Sequence, residues 1–296
     1  MILVAGSANL DFVVRAARIP APGETVLGRE FKTFPGGKGA NQAVACARAG
    51  GAATQMLLAL GNDDFAAPIE TSLRDAGVVL HIVRCADEPS GTAFICLSDD
   101  AENAITVAPG TNALLRPDDL PSLDGVTHLL LQLETPIASV TAFASRARAA
   151  GVTVVLNAAP AQALPAELLA ALDVLIVNEG ELAAITQVHD DIDAALARVD
   201  VPCVIVTLGA QGCRAREAGA LIEQPAFAVK AVDTTAAGDT FCGALVAALS
   251  GGAALAQALR RASAAAAITC TRLGAQASIP TQDEVDAFLQ SHPVAA

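Results

Sequence analysis

Short apolar runs punctuate the chain, and most have the length of a buried strand. From residue 124 onward, runs at 129–133 (interrupted only by Gln132), 152–156, 174–177 and 204–208 alternate with helix-like stretches at 136–150 and 165–172. Runs without a polar face, separated by helices, predict a mostly parallel central sheet covered on both sides. Gly151 supplies the stop for the helix before the 152–156 strand. Residues 1–6, MILVAG, read as a first strand. The first half has a second pattern. Residues 25–34, 91–97 and 104–108 have strand character, and Asp99-Asp100-Ala101-Glu102-Asn103 between the last two suits a hairpin turn. These pieces predict either a small antiparallel sheet projecting as a lid or an antiparallel extension of the main sheet. Pattern alone leaves both open. A lid would cover the carboxyl edge of the strands, where open α/β sheets bind ligands.

Composition narrows the function. The 296 residues are 53% hydrophobic, enough for a sizeable core, yet no apolar run is long enough to cross a membrane. The N-terminus lacks the basic region of a signal peptide. A net charge of −13 argues against a nucleic-acid partner. It also means that an anionic nucleotide must be held by backbone dipoles, a few cations and metal. Seven cysteines, an odd number without CxxC spacing, predict reduced thiols in a cytoplasmic protein and no structural zinc. His81, His128, His189 and His292 do not cluster in sequence. With no Trp or Tyr and nine Phe, a nucleobase is expected to lie between aliphatic side chains.

The clearest chemistry lies in residues 231–250, AVDTTAAGDTFCGALVAALS. Phe241, Ala244, Leu245, Ala248 and Leu249 follow the spacing of one helix face, and Gly251-Gly252 ends the helix. Thr235-Ala236-Ala237-Gly238 then precedes the helix or forms its first turn. Small side chains there let an anion approach free N–H groups at the positive end of the helix dipole. Asp239 falls in the same turn. Read alone, it is a carboxylate favoured by the dipole. Beside an anion pocket, it has a second use as acceptor of a proton from an attacking hydroxyl. The chain contains no G-x-x-x-x-G-K-[ST] and no G-x-G-x-x-G after a strand, which disfavours a Walker A loop and a dinucleotide site.

A second motif, Pro35-Gly36-Gly37-Lys38-Gly39-Ala40-Asn41-Gln42, leads into a helix ending near Gly50-Gly51. Its glycines permit close backbone approach, and Lys38 and Asn41 project polar heads. Together with the 231–250 segment, this motif resembles the paired signatures of the ribokinase-like (PfkB) carbohydrate kinase family. The likeness extends through Gly6-Ser7-Ala8-Asn9-Leu10-Asp11, Pro22-Gly23-Glu24-Thr25-Val26, Gln132-Leu133-Glu134, Asn178-Glu179-Gly180-Glu181, Thr207-Leu208-Gly209-Ala210-Gln211-Gly212 and Thr271-Arg272-Leu273-Gly274-Ala275-Gln276.

The resemblance implies a three-layer α/β fold, in one kinase domain over 1–296, with lid strands from about 10–34 and 90–110. It implies ATP-dependent phosphorylation of the primary hydroxyl of a small pentose such as ribose. Asp239 would be the general base, and Ala236, Ala237 and Gly238 the anion hole. Asn9 and Asp11, placed at the end of the first strand, would hold sugar hydroxyls together with Gly37, Lys38, Asn41 and Glu134. Asn178, Thr207, Gly209, Gly212, Gly238 and Ser263 would contact ATP. Glu181 would serve Mg²⁺, with Asn178 and Glu181 on one helix face. Asp233, Thr235, Thr269, Arg272, Gly274 and Ser278 would surround K⁺, several through carbonyls. Ala236 stands where the family more often has Gly, and Ser263 replaces a larger polar residue near the adenine edge. Kinases for deoxyribose, 2-keto-3-deoxygluconate or a nucleoside remain alternatives, as does a silent sugar- or nucleotide-binding regulator. A lid with an apolar face suggests a homodimer.

Overall fold

Ile2–Ala5 (β1) is buried along its whole length, as expected of a strand covered by helices on both sides. In the computed structural model, which describes residues 1–100 and 103–293, the chain continues as β2 (Asn9–Arg15), β3 (Glu30–Gly36), α1 (Lys38–Arg48), β4 (Thr54–Gly61), α2 (Ala66–Asp75) and β5 (Val79–Cys85). Next come β6 (Gly91–Leu97), β7 (Asn103–Ala108), β8 (His128–Leu131), α3 (Ile137–Ala149), β9 (Thr153–Asn157) and α4 (Ala166–Ala171). The remainder is β10 (Val174–Asn178), α5 (Glu179–Thr186), α6 (Ile192–Arg198), β11 (Cys203–Thr207), β12 (Cys213–Glu217), β13 (Ala220–Gln224), α7 (Ala237–Ser250), α8 (Leu255–Cys270) and α9 (Gln282–Ser291).

The main sheet has nine strands in the order β13-β12-β11-β10-β9-β8-β1-β4-β5. Every pairing from β11 to β5 is parallel, and β12 and β13 form an antiparallel edge. Successive side chains of a strand point to opposite faces. Ile2 and Val4 therefore join Met56, Leu58, Leu130 and Ile205 beneath α1, α7 and α8. Leu3 and Ala5 join Leu57, Leu129, Val154 and Leu175 beneath α3, α4 and α6. Strands apolar on both faces carry the middle layer of this three-layer fold.

A separate four-stranded sheet, ordered β3-β2-β6-β7, forms the lid. This resolves the open alternative in favour of a lid over an extension of the main sheet. The lid is mixed and not wholly antiparallel, because β2 and β6 run parallel. Strand β3 starts at Glu30 and not near residue 25, since the stretch containing Pro20, Pro22 and Gly23 forms an exposed loop. The turn expected at 99–103 includes 101–102, which lie outside the described residues. Phe12 anchors the lid, stacking on Phe94 with centroids 5.3 Å apart and meeting Phe65, just before α2, edge-on at 5.3 Å. Among the described residues, no helix is long and apolar enough to cross a membrane.

Candidate active site

Asn157, Asn178 and Thr207 are the last residues of β9, β10 and β11, so they mark the carboxyl edge of the parallel sheet. At this edge lies a polar cavity of about 240 Å³, walled by Lys38, Asn157, Asn178, Glu181, Thr207, Thr234, Gly238 and Asp239, among others. A larger apolar cleft of about 550 Å³ adjoins it. Its walls include Gly209, Gly212, Ala226, Phe227, Val229, Phe241, Ser263 and Ala266. Aliphatic lining was expected for a nucleobase, and Phe227 and Phe241 add two rings to it. Thr207, Thr234 and Gly238 belong to both walls, so the two spaces meet at the start of α7.

That start is shaped by Ala236, which sits at the N-cap in the left-handed region with φ 59. A non-glycine residue there is strained by roughly 1–2 kcal/mol. The conformation turns the chain sharply from Asp233 into α7. The N–H of Ala237 turns back to Thr234 O at 3.2 Å, and Thr240 N–H begins the regular ladder at Ala236 O. Gly238 and Asp239 lie between them, at the open end of the helix. A Cβ added at Gly238 would meet nothing within 4 Å. The protein thus leaves free space beside this amide.

Asp239 is nearly buried. Asn41 Nδ2 donates to its Oδ2 and Gln42 Nε2 to its Oδ1, each at 2.9 Å. Burial pushes its carboxyl above the usual range, against the pull of Lys38 and these two amides. Lys38 is raised in turn, chiefly by the charge of Asp239.

The glycines of the second motif allow this meeting. Gly37 has φ 88, and a Cβ there would lie 2.8 Å from Ala8 Cα and Asn9 N. A Cβ on Gly39 would lie 2.6 Å from Ser7 N. Only bare backbone fits between α1 and the 6–9 segment. Glu134 closes the helix end: its Oε2 accepts from Lys38 N–H at 3.1 Å and from Ser7 Oγ at 2.5 Å, a favourable place for a carboxylate.

Asn9 and Asp11 lie on β2 in the lid sheet, not at the end of the first strand. The turn at Gly6-Ser7-Ala8 has already sent the chain out of the main sheet. Asp11 nevertheless faces Glu134 and Asp239, and burial, then these two charges, push its carboxyl up to about 7. Asn178 and Glu181 do not share a helix face. Asn178 is the N-cap of α5, and the two form a capping box in which Asn178 Oδ1 accepts from Glu181 N–H and Glu181 Oε2 from Asn178 N–H, both at 2.8 Å. Glu181 Oε1 is the oxygen left for a cation.

The expected cation positions divide. Asp233 accepts from Thr235 N–H at 2.9 Å and Gly274 N–H at 3.0 Å, and these bonds hold its carboxyl below the usual range although burial opposes them. The Arg272 guanidinium is committed to Glu284 at 2.6 and 3.2 Å. Ser278 Oγ donates to Ala275 O at 2.7 Å, and Thr269 Oγ1 lies 3.1 Å from both Thr240 Oγ1 and Ala265 O. The Asp233 carboxylate and nearby carbonyls are thus the donors suited to a hard cation. Among the described residues, no group of three or more His, Cys, Asp or Glu side chains is arranged to hold a metal.

Sequence reasoning missed three positions. Asn112 donates to Asn9 Oδ1 at 2.8 Å and accepts from Ala8 N–H at 3.0 Å, so it fixes the root of the lid. Gln42 and Asn157 stand behind Asp239 and are linked at 2.9 Å. The available signal was a polar residue facing the core side of its own element.

Comparison with known proteins agrees with this geometry. The model of the pfkB family carbohydrate kinases matches residues 1–282. Ribokinase of Haemophilus influenzae is 38% identical over 98% of both chains. The crystal structure of ribokinase from Thermotoga maritima superposes with a TM-score of 0.91 at 37% identity, covering 98% of this chain and 99% of that one. Ribokinase of Arabidopsis thaliana, complexed with ribose and ATP, gives 0.90 at 33% identity and covers 97% of each. The chain therefore belongs to the pfkB family of carbohydrate kinases.

Proposed function

We propose that this protein transfers the γ-phosphoryl group of ATP to the primary 5-hydroxyl of D-ribose, giving ribose 5-phosphate and ADP. One observation carries the reading: a polar cavity and an apolar cleft meet at Gly238, directly beside the buried carboxylate of Asp239. Relatives named ribokinase at 34–38% identity over nearly the whole chain support it.

In this mechanism the sugar lies under the lid, with its hydroxyls on Asn9, Asp11, the Gly37 backbone, Lys38, Asn41 and Glu134. Asp239 takes the proton of the 5-hydroxyl, and that oxygen attacks the γ-phosphorus in line as the bond to the β-phosphate oxygen breaks. The N–H groups of Ala236 and Gly238, with the Lys38 ammonium, face the growing charge on the phosphoryl oxygens; the Ala237 N–H is turned to Thr234 O and holds the turn instead. The adenine end occupies the apolar cleft beside Ser263, with Thr207, Gly209 and Gly212 along the nucleotide and Asn178 near its phosphates. Glu181 would hold Mg²⁺, and Asp233 with carbonyls near Thr235, Thr269, Arg272, Gly274 and Ser278 would hold K⁺; these ions supply charge neutralisation at the phosphates and support behind the anion hole. Lid closure excludes water.

The working unit is one kinase domain over 1–296, paired through its lid with a second copy. Seven free thiols fit a reducing, cytoplasmic setting. ADP release measured with ribose, deoxyribose, fructose, 2-keto-3-deoxygluconate and adenosine, with and without K⁺, tests the proposal. Ribose is expected to give the highest kcat/KM, and K⁺ a higher rate. A higher value for another acceptor, or no ADP release with any of them, overturns the assignment.

A further inference from the structure

Behind the proposed base runs a chain of buried amides that the expected sugar and nucleotide contacts do not include. Gln42 on α1 is fully buried. Its Nε2 lies 2.9 Å from both Asp239 Oδ1 and Asn157 Oδ1, and its Oε1 accepts from Gln132 Nε2 at 2.6 Å. A primary amide has two N–H donors and one carbonyl. All of them are used here, and only one orientation satisfies them. Flipping the amide would aim its oxygen at two other oxygens and leave Gln132 Nε2 facing a donor. Gln132 is also fully buried and occupies the space left by Gly6, where any Cβ would strike its Oε1. On the opposite side of the carboxylate, Asn41 holds Oδ2, and Asn41 Oδ1 is buried without a hydrogen-bond partner among the described residues. Gln132 Oε1 is unpaired as well, and of these two free acceptors Asn41 Oδ1 belongs to the residue expected to touch the sugar.

We propose that Gln42, keyed in orientation by Gln132, is a positioning residue for phosphoryl transfer: it grips Asp239 Oδ1 from behind so that Oδ2 meets the acceptor hydroxyl. The inference rests on the reading of Asp239 as general base. A donated hydrogen bond favours the ionised carboxylate, and Gln42 cannot titrate. The other groups facing Asp239 are Lys38 from α1, Glu134 after β8, Asp11 from β2, Glu181 from α5 and Cys242 on α7 itself. Of these, Lys38 favours the anion and the acidic groups oppose it. Gln42 therefore supplies both geometry and a permanent share of the stabilisation.

The test compares the full-length wild type with Gln42→Met, Gln132→Met and Asp239→Asn, using the pH profile of kcat, KM for ATP and thermal melting. Gln42→Met is expected to lower kcat about 10-fold or more, and to move the acid limb of the profile up by roughly one pH unit. KM for ATP should stay within about two-fold of wild type. Gln132→Met should produce a smaller shift in the same direction, because the amide then loses its key. An acid limb unmoved in folded Gln42→Met, whatever its kcat, would reduce Gln42 to a packing residue and overturn the inference. If Gln42→Met fails to fold, an unmoved limb in Gln132→Met has the same force. Near-normal turnover of Asp239→Asn would instead remove the base assignment and this inference with it.

Discussion

A carboxylate that takes a proton from an alcohol must be ionised while hidden from water. For Asp239 burial prevails and raises the carboxyl, and Lys38 with two amides opposes that rise and favours the anion. Replacing it by Asn keeps the shape and removes the base. Turnover is expected to fall at least about 10²-fold with KM for ATP little changed, as read from steady-state ADP release. Gly238 gives a complementary expectation. Its vacant Cβ position means that Gly238→Ala meets no protein atom. The variant should melt no lower than wild type yet lose about 10-fold or more in kcat/KM, because the methyl group enters space reserved for phosphate. Equal activity would place the phosphate elsewhere. Asp11 links the site to stability. Its carboxyl rises to about 7 in the fold, so between pH 4 and 7 the folded state binds more protons than the unfolded chain. Stability attributable to this group therefore falls as pH rises through that window. Asp11→Asn should be the more stable protein at pH 8, by up to about 4 kcal/mol, with the gap closing toward pH 4. Urea midpoints at the two pH values would show it. At this scale, the sequence displayed Asp239, Lys38 and the glycines, because small residues beside charged ones are unusual ahead of a helix. It hid Gln42 and Asn112, because a buried amide and a surface amide are the same letter.

Helices α1 and α7 bring the two motifs together, and they cross at close range. A Cβ on Gly243 would lie 2.5 Å from Ala45 Cβ, 2.6 Å from Gln42 O and 2.8 Å from Cys46 N. Gly243→Ala must push the helices apart. It should lower stability by about 1–3 kcal/mol and reduce kcat, since Gln42 and Asp239 separate with their helices. A melting curve and kcat on one preparation check both. The central strands were legible because apolar runs without a polar face have few other uses. The β12–β13 edge was not, since CRARE and ALIEQ are five-residue stretches rich in charged and polar residues, without the apolar run that marked the central strands. Its turn, at Ala218 with φ 48 and Gly219 with φ 84, was the missed signal. The lid strands were visible, but not the parallel pairing of β2 with β6, because strand partners are set by the return path of the chain and not by local pattern.

The whole molecule leaves an apolar band on its lid. Ile105 and Val107 are 55% and 45% exposed. Through their partners Ile95 and Ala93, they share a face with Val13 and Asp11. Phe31 and Phe94 are 61% and 54% exposed on the other face. Such surface on a sheet with free edges suits a second copy. The paired Ile105→Asp, Val107→Asp variant should elute as a 29.8 kDa monomer, and the wild type at twice that mass, by light scattering. A monomeric wild type would refute pairing.

No partition stands between the polar chamber and the apolar cleft, because Thr207, Thr234 and Gly238 wall both. A single compound with adenosine in the cleft, an oligophosphate crossing the polar chamber and a pentose beyond it under the lid would follow this course. Joining the two halves makes the second contact intramolecular, so the molecule that best blocks this enzyme is one in which its two substrates have already been tied together.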